Sequence, residues 1–195
     1  MLPTLAGMGN PRRARTANLV AAAAVGLTDA ITGSIRAVTD LDLTAATALV
    51  ALLDFTPGGS VGALARVVGI THSGAVRLAE RLVAAGYVDR QAGDDARSRL
   101  LTLTPAGVQL AEQVRAARQT ATERVLGALS PAERRTLTTL SERLVEGVTA
   151  DRLQQRAAGQ APEGGALCRL CDFNACGRPR GACPAARTAA PSLAR

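Results

Sequence analysis

Late in the chain stand four cysteines, Cys168, Cys171, Cys176 and Cys183, spaced C-x2-C-x4-C-x6-C, with no cysteine elsewhere. A C-x2-C pair lets two thiolates grip one side of a metal ion, and two more complete a soft tetrahedral set. That set suits Zn²⁺ or, as the alternative, an iron–sulfur cluster. Gly177, Pro179 and Gly181 let the chain turn between the thiols. Residues 158–195 offer no aliphatic core of their own, so a metal is expected to fold this tail. A thiol redox switch and an unmetallated tail are the plainer readings. A C-x2-C pair also serves thiol–disulfide enzymes. Here it does not open a helix after a strand, and the only histidine, His72, is far away in sequence. No nucleophile–base set is visible, so the chain is not read as an enzyme.

A second set of residues is suited to binding a polyanion. Thr71, His72 and Ser73 lie together, and Ser73, Arg77 and Arg81 recur at i, i+4, i+8, one stripe of a helix. Arg90, Asp95, Arg97 and Arg99 follow in a short polar segment. A helix that enters the major groove needs small and polar residues near its N-terminus, where it meets base edges and phosphates. Arg77 has the reach for a guanine edge or a phosphate, and Thr71 and Ser73 suit phosphate. An arginine at the tip of a hairpin can enter a narrow minor groove. Asp95 would repel DNA unless it orients a neighbouring arginine. Taken singly, each of these is an ordinary solvated face or polar hairpin; it is their order that carries meaning.

The elements that must position these residues are legible from caps and periodicity. Residues 1–16 read as a flexible basic arm, and 17–39 as an amphipathic helix with Val20, Ala24, Leu27, Ile31, Ile35 and Val38 at helical spacing. Thr44 is expected to cap a second helix ending near Asp54. Ser60 caps a short helix over 61–68, Gly69-Ile70 makes the tight turn, and Thr71 opens the helix over 71–85. In that helix Val76, Ala79, Leu82 and Val83 are expected to face the core. Strands over 87–91 and 98–103 follow, with a polar tip at 92–97. Thr104-Pro105 starts a long helix with Leu110, Val114, Ala117, Ala121 and Val125 on one face. Ser130-Pro131-Ala132-Glu133 is a capping box, and its helix carries Leu137, Leu140, Leu144 and Val148 to about 155–157. Gly74, a poor helix former, falls in the first turn of the helix over 71–85. It either lets the backbone approach a ligand or lowers local stability.

The result is a mainly α chain with a small β-wing: a helix-turn-helix followed by a hairpin, between long terminal helices. Of 195 residues 47% are hydrophobic, enough for one core, and aromatics are scarce, so Leu, Val, Ile and Ala must fill it. The formal charge is +7 and every basic residue is arginine, the usage of a G+C-rich bacterial genome. A positive balance favours a polyanionic partner. No apolar run reaches the length needed to span a bilayer. Arg12, Arg13 and Arg15 before 17–27 have the look of a short signal sequence, but the helical pattern runs on through Asp29. A cytoplasmic protein without a membrane partner is therefore expected.

Residues 60–107 resemble the MarR family of multiple-antibiotic-resistance-type regulators. The likeness rests on VGALARVVGITHSGAVRLAERLVAAGYVDR, the Asp95-Ala96-Arg97 wing and LLTLTPAG, and with flanking helices it extends over 17–157. It implies a winged-helix domain with a DNA-reading lobe over 44–104 and dimerisation helices over 17–39 and 105–157. It implies a homodimer on double-stranded DNA, with Ser73, Arg77 and Arg97 as the foremost contacts and Arg90 as a lesser one. The function expected is a sequence-specific transcriptional regulator, a repressor, on a pseudo-palindromic operator. A small-molecule effector is a further candidate partner, and the four-cysteine tail would make the protein metal- or redox-responsive. The competing reading is a metal-stabilised architectural DNA-binding or adaptor protein.

Overall fold

The structure, a computed structural model, describes residues 11–92, 99–160 and 164–193. Helices α1 (Pro11–Arg36), α2 (Leu43–Val50), α3 (Val61–Val68) and α4 (His72–Ala84) precede a hairpin, β1 (Val88–Ala92) and β2 (Arg99–Leu103). Two long helices, α5 (Pro105–Leu126) and α6 (Pro131–Ala157), and a shorter one, α7 (Pro184–Leu193), complete the chain.

The core sits where α2, α3, α4, the hairpin and the start of α5 meet. Leu49, Leu52, Leu64, Leu78, Leu82, Val88, Leu101 and Leu110 form one buried cluster. Helix ends supply their own hydrogen bonds. Ser60, Thr71, Thr104 and Ser130 each accept an amide three residues on, and Glu133 returns a carboxylate oxygen to the Ser130 amide at 2.8 Å. The strands pair antiparallel with Val88 opposite Leu103 and Ala92 opposite Arg99. β2 also pairs with the turn before α3: Leu101 N–H donates to Gly59 O at 3.0 Å. The wing is thereby fastened to the first helix of the helix-turn-helix, an anchor that the sequence pattern does not announce.

Several local expectations need correction. The cap of α2 is Asp42, not Thr44: its carboxylate accepts from Ala45 N–H at 2.8 Å. The helix then closes in a π-type turn, Ala51–Phe55. Residues 11–16 are not part of a flexible arm but the first turns of α1, because Pro11 has its φ set for a helix start and arginine and alanine follow. In α4 the buried face is Ala75, Leu78, Ala79 and Leu82, at i, i+3, i+4, i+7; Val76 is half-buried and Val83 exposed. The stretch after 157 is more than a linker. Residues 164–193 fold against the rest of the chain, and α7 packs on α6. One helix, α1, is long and apolar enough to cross a membrane by length and composition, contrary to the expectation from apolar runs. It lies along α5.

The long helices differ from the core in burial. In α6 none of 27 residues is buried, and in α1 Ile35 alone is. Leu140 and Leu144 of α6 are 50% and 54% exposed, and Leu19, Val20 and Val25 of α1 are likewise open. An open groove between α1 and Leu144 is lined by Ala17, Val20, Ala21 and Ala24.

Candidate nucleic-acid interface and cysteine cluster

The exposed N-terminal end of α4 presents Thr71, His72, Ser73 and Arg77. The turn that aims it is short: Gly69, at φ +81°, ends α3, and Thr71 begins α4 two residues later. Thr71 Oγ1 accepts from Gly74 N–H at 3.1 Å and lies 3.3 Å from Ser73 Oγ. The Thr71 hydroxyl is therefore committed to the cap, while Ser73 keeps hydrogen-bonding capacity toward solvent. Gly74 now has a local reason: a Cβ there would stand 3.1 Å from Thr71 Oγ1, crowding the cap. Arg77 makes no ion pair among the described residues, and its exposed side chain lies one turn on from Ser73.

Two of the predicted contacts are engaged elsewhere. Arg81 donates to the Asp42 carboxylate at 2.9 Å, tying α4 to the cap of α2. Burial raises the pKa of Asp42, but the Ala45 amide and the Arg81 guanidinium outweigh it, so its carboxyl sits below the usual range. Arg90, on β1 opposite Leu101, points to Glu80 of α4 at 4.0 Å. Asp95 and Arg97 lie outside the described residues. Arg99 pairs with Ala92 through its backbone, and its side chain also lies outside the description. One cation was missed. Arg66, the only charged residue of α3, is exposed on the side of α3 that faces His72: a Cβ at Gly62 would lie 3.9 Å from its Nη1 and 3.8 Å from His72 Nδ1. The first helix of a helix-turn-helix crosses the DNA backbone, where such a cation belongs. Its signal was present: a lone arginine on the polar side of a strongly amphipathic helix.

The family-level comparisons agree with this geometry. Residues 39–98, from the turn before α2 to the residue before β2, match the model of the MarR family. The chain carries a MarR-family winged-helix domain. RV1404 from Mycobacterium tuberculosis is similar at 27% identity with a TM-score of 0.60, over 74% of this chain and 97% of that one. A MarR family protein of Bacillus stearothermophilus shares the fold at 21% identity and a TM-score of 0.62, over 73% and 99%. The MarR family protein RV2887 of M. tuberculosis, in complex with salicylic acid, aligns at 28% identity and a TM-score of 0.52, over 65% and 93%. No curated protein matches the chain significantly. The chain is thus mainly α with a two-stranded wing, the fold it shares with these solved structures.

The cysteines are brought together. Cys168 and Cys183 are buried with Ala185, and Phe55, Val145, Cys171, Phe173 and Cys176 pack on them. All four are free thiols. The Cys168 thiol is hydrogen-bonded to Cys171, which pulls Cys171 down to about 6 against its burial, with Arg118 and Arg178 adding to the pull. Cys168 is pushed up by the same hydrogen bond and by burial. Cys176, raised first by burial, faces Cys183. Among the described residues no three His, Cys, Asp or Glu side chains meet the geometry of a formed metal site. The donors are two adjoining thiol pairs, chemically the set that a thiophilic ion takes.

The cluster is fastened to the rest of the chain by contacts that spacing could not reveal. Arg115 of α5 binds Asp54 at 2.8 Å and reaches Asp172 at 3.8 Å, all three side chains being largely buried. The other oxygen of Asp172 accepts from Asn174 and Ala175 amides at 2.8 and 3.0 Å, shaping the turn between Cys171 and Cys176. Phe173 meets Phe55 edge-on at 5.6 Å, and the Arg178 guanidinium lies 4.5 Å from the Phe173 ring centre.

Proposed function

We propose that this chain is a homodimeric, sequence-specific transcriptional regulator that binds double-stranded DNA through α4 and the wing. One observation carries it: within a MarR-family domain, α4 is packed on its Ala75–Leu78–Leu82 face and offers Ser73 and Arg77, with Arg66 beside them, on the open one. A helix N-terminus with small polar residues and an uncommitted arginine fits a major groove. The wing arginines, Arg97 and Arg99, take the flanking minor groove.

The dimer reading is supported by the unburied stripes of α1 and α6. A fully buried leucine is worth about 1.5–3 kcal/mol, so a stripe of Leu137, Leu140, Leu144 and Val148 on a helix without a buried residue calls for a covering surface. A second copy supplies the same stripe in isologous form. The hydropathy of α1 has the same explanation: its apolar side is an interface, in a protein acting in the cytoplasm. Two copies imply two half-sites about one helical turn apart, and occupancy of such an operator acts as repression.

A small-molecule effector belongs to the same reading. A cavity of about 220 Å³ between α5 and the tail, with Arg115, Arg118, Gln119, Glu123, Cys171 and Asp172 in its lining, offers a small polar effector charges of both signs. One solved relative carries salicylic acid.

Selection of bound fragments from genomic DNA, followed by footprinting with the full chain, tests the proposal. The expected result is a protected pseudo-palindrome whose affinity falls steeply with salt, as phosphate contacts require. Binding of equal strength to every sequence would overturn it in favour of an architectural protein. A promoter fusion that loses expression when the protein is supplied identifies the repressor.

A further inference from the structure

We propose that Cys168, Cys171, Cys176 and Cys183 hold a single zinc ion as a tetrathiolate, and that the ion anchors a strap bracing the turn of the helix-turn-helix. The four cysteines share one side-chain cluster: Cys168 and Cys183 are buried together, and Cys171 and Cys176 pack against them. The backbone is folded to return them to one place. Cys171 N–H donates to Cys168 O at 3.0 Å, Arg178 N–H to Phe173 O at 2.9 Å and Ala182 N–H to Gly177 O at 3.0 Å. Gly177 allows this at φ +71°.

The choice of one ion over a cluster is geometric. A Zn–S bond of about 2.3 Å sets tetrahedral sulfurs about 3.8 Å apart. Four cysteines packed on one another need only close around one centre, whereas the cubane core of a four-iron cluster would have to part them. Four thiolates leave no open position, the mark of a structural site. Such a centre carries a net charge of about −2, and Arg118 and Arg178 stand where they act on the Cys171 sulfur. Arg178 is held there by the rings of Phe173 and Phe55. Loading draws the two thiol pairs onto one centre and releases to solvent the proton of each thiol not already ionised.

The strap begins just before the first cysteine. Gly165 and Ala166 lie against the α3–α4 turn, where Ala166 N–H donates to Val67 O at 2.7 Å. Val67 is in the last turn of α3, where carbonyls lack a helical partner. From the other side the Arg152 guanidinium of α6 donates to Gly165 O at 2.6 Å. The approach is so close that a Cβ at Gly165 would stand 2.5 Å from Gly69 N. Both residues have positive φ, so glycine is needed twice over. The metal site, two residues further on, fixes the far end of this strap, and the braced turn leads directly into Thr71, Ser73 and Arg77.

Metal analysis of the full chain, purified anaerobically without chelator, tests the site. The expected result is about one zinc per chain, a colourless protein, and release of the ion as a mercurial titrates the four thiols. Cys168→Ser and Cys183→Ser should each lower zinc below about a tenth per chain. The wild-type titration keeps the question decidable if a variant fails to fold. A metal-free protein with four freely reactive thiols overturns the proposal. So does brown protein containing iron and sulfide, or a Cys168–Cys171 disulfide in place of metal. The strap is read by hydrogen exchange: removing zinc should speed exchange of the Ala166 amide at least about tenfold; unchanged protection overturns the anchoring. Its effect on operator binding, a loss of about tenfold, rests on the regulator reading above. Stoichiometric zinc in a chain that binds no DNA would leave the site standing and sink that reading alone.

Discussion

The DNA-reading head and the long terminal helices are built to opposite rules. Between Asp42 and Leu110 the large apolar side chains centre on one buried cluster, with others half-buried against it, and each helix start carries its own cap. In α1 and α6, helices of 26 and 27 residues, a single residue is buried. The head is finished within one chain. In the proposed homodimer the helices are one half of an interface, and their exposed leucines measure what the other half must cover. Stability resides in the first region and assembly in the second, so the two can be perturbed separately.

The largest effect should come from breaking assembly. Leu140→Glu with Leu144→Glu places charges in the α6 stripe and is expected to give monomers that keep helical content but bind operator at least about a hundredfold more weakly, since one half-site remains. Sedimentation and a binding titration check this together; a monomeric wild type would erase the contrast between the two regions. Next is the head core. Leu82→Ala removes a fully buried side chain at the centre of the cluster and should cost about 2–5 kcal/mol by denaturant unfolding, whereas Leu137→Ala on α6 should barely change the stability of a chain held dilute and monomeric.

Within the head, Arg77→Ala should weaken operator binding by about 1–3 kcal/mol and reduce the salt dependence without altering the melting temperature. Equal binding would remove Arg77 from the interface. Arg81→Ala should behave in the reverse way, lowering stability slightly more than affinity, because its guanidinium is committed to Asp42. The smallest effect is a pH dependence. The carboxyl of Asp42 titrates below its unfolded value of 3.8, so its contribution is complete above that value and is lost as the pH falls through the lower, folded one. Thermal melts of Asp42→Asn should therefore show a shallower acid limb than wild type.

The sequence made the head legible because its signals are local. Ser60, Thr71, Thr104 and Ser130 each cap from a fixed offset, and Gly69 is the turn residue between the first two. The misplaced cap of α2 shows the limit: Asp42 and Thr44 are both capable oxygens, and the choice depends on where the preceding turn ends. Val83 shows another. It is as apolar as Leu82, yet it lies about 100° further round the helix and faces solvent. The cysteine spacing announced a cluster, but not its seat. Arg115 meets Asp172 across half of α5 and the whole of α6, and Phe55 meets Phe173, pairs set by tertiary folding alone. α7 did leave a signal, Pro184 ahead of an alanine-rich run, the same start that marks α5 and α6.

The contact of Gly165 with both Arg152 and the α3–α4 turn has a mechanical consequence. It closes a loop from α6 to the head, so the joint between reading helix and assembly helix is locked instead of hinged. In the proposed homodimer two such halves make a caliper of fixed opening. Inserting one base pair between half-sites displaces the second by about 3.4 Å and turns it about 35° around the duplex. A hinged reader absorbs that error by swinging; a locked one loses contacts and rejects the altered spacing.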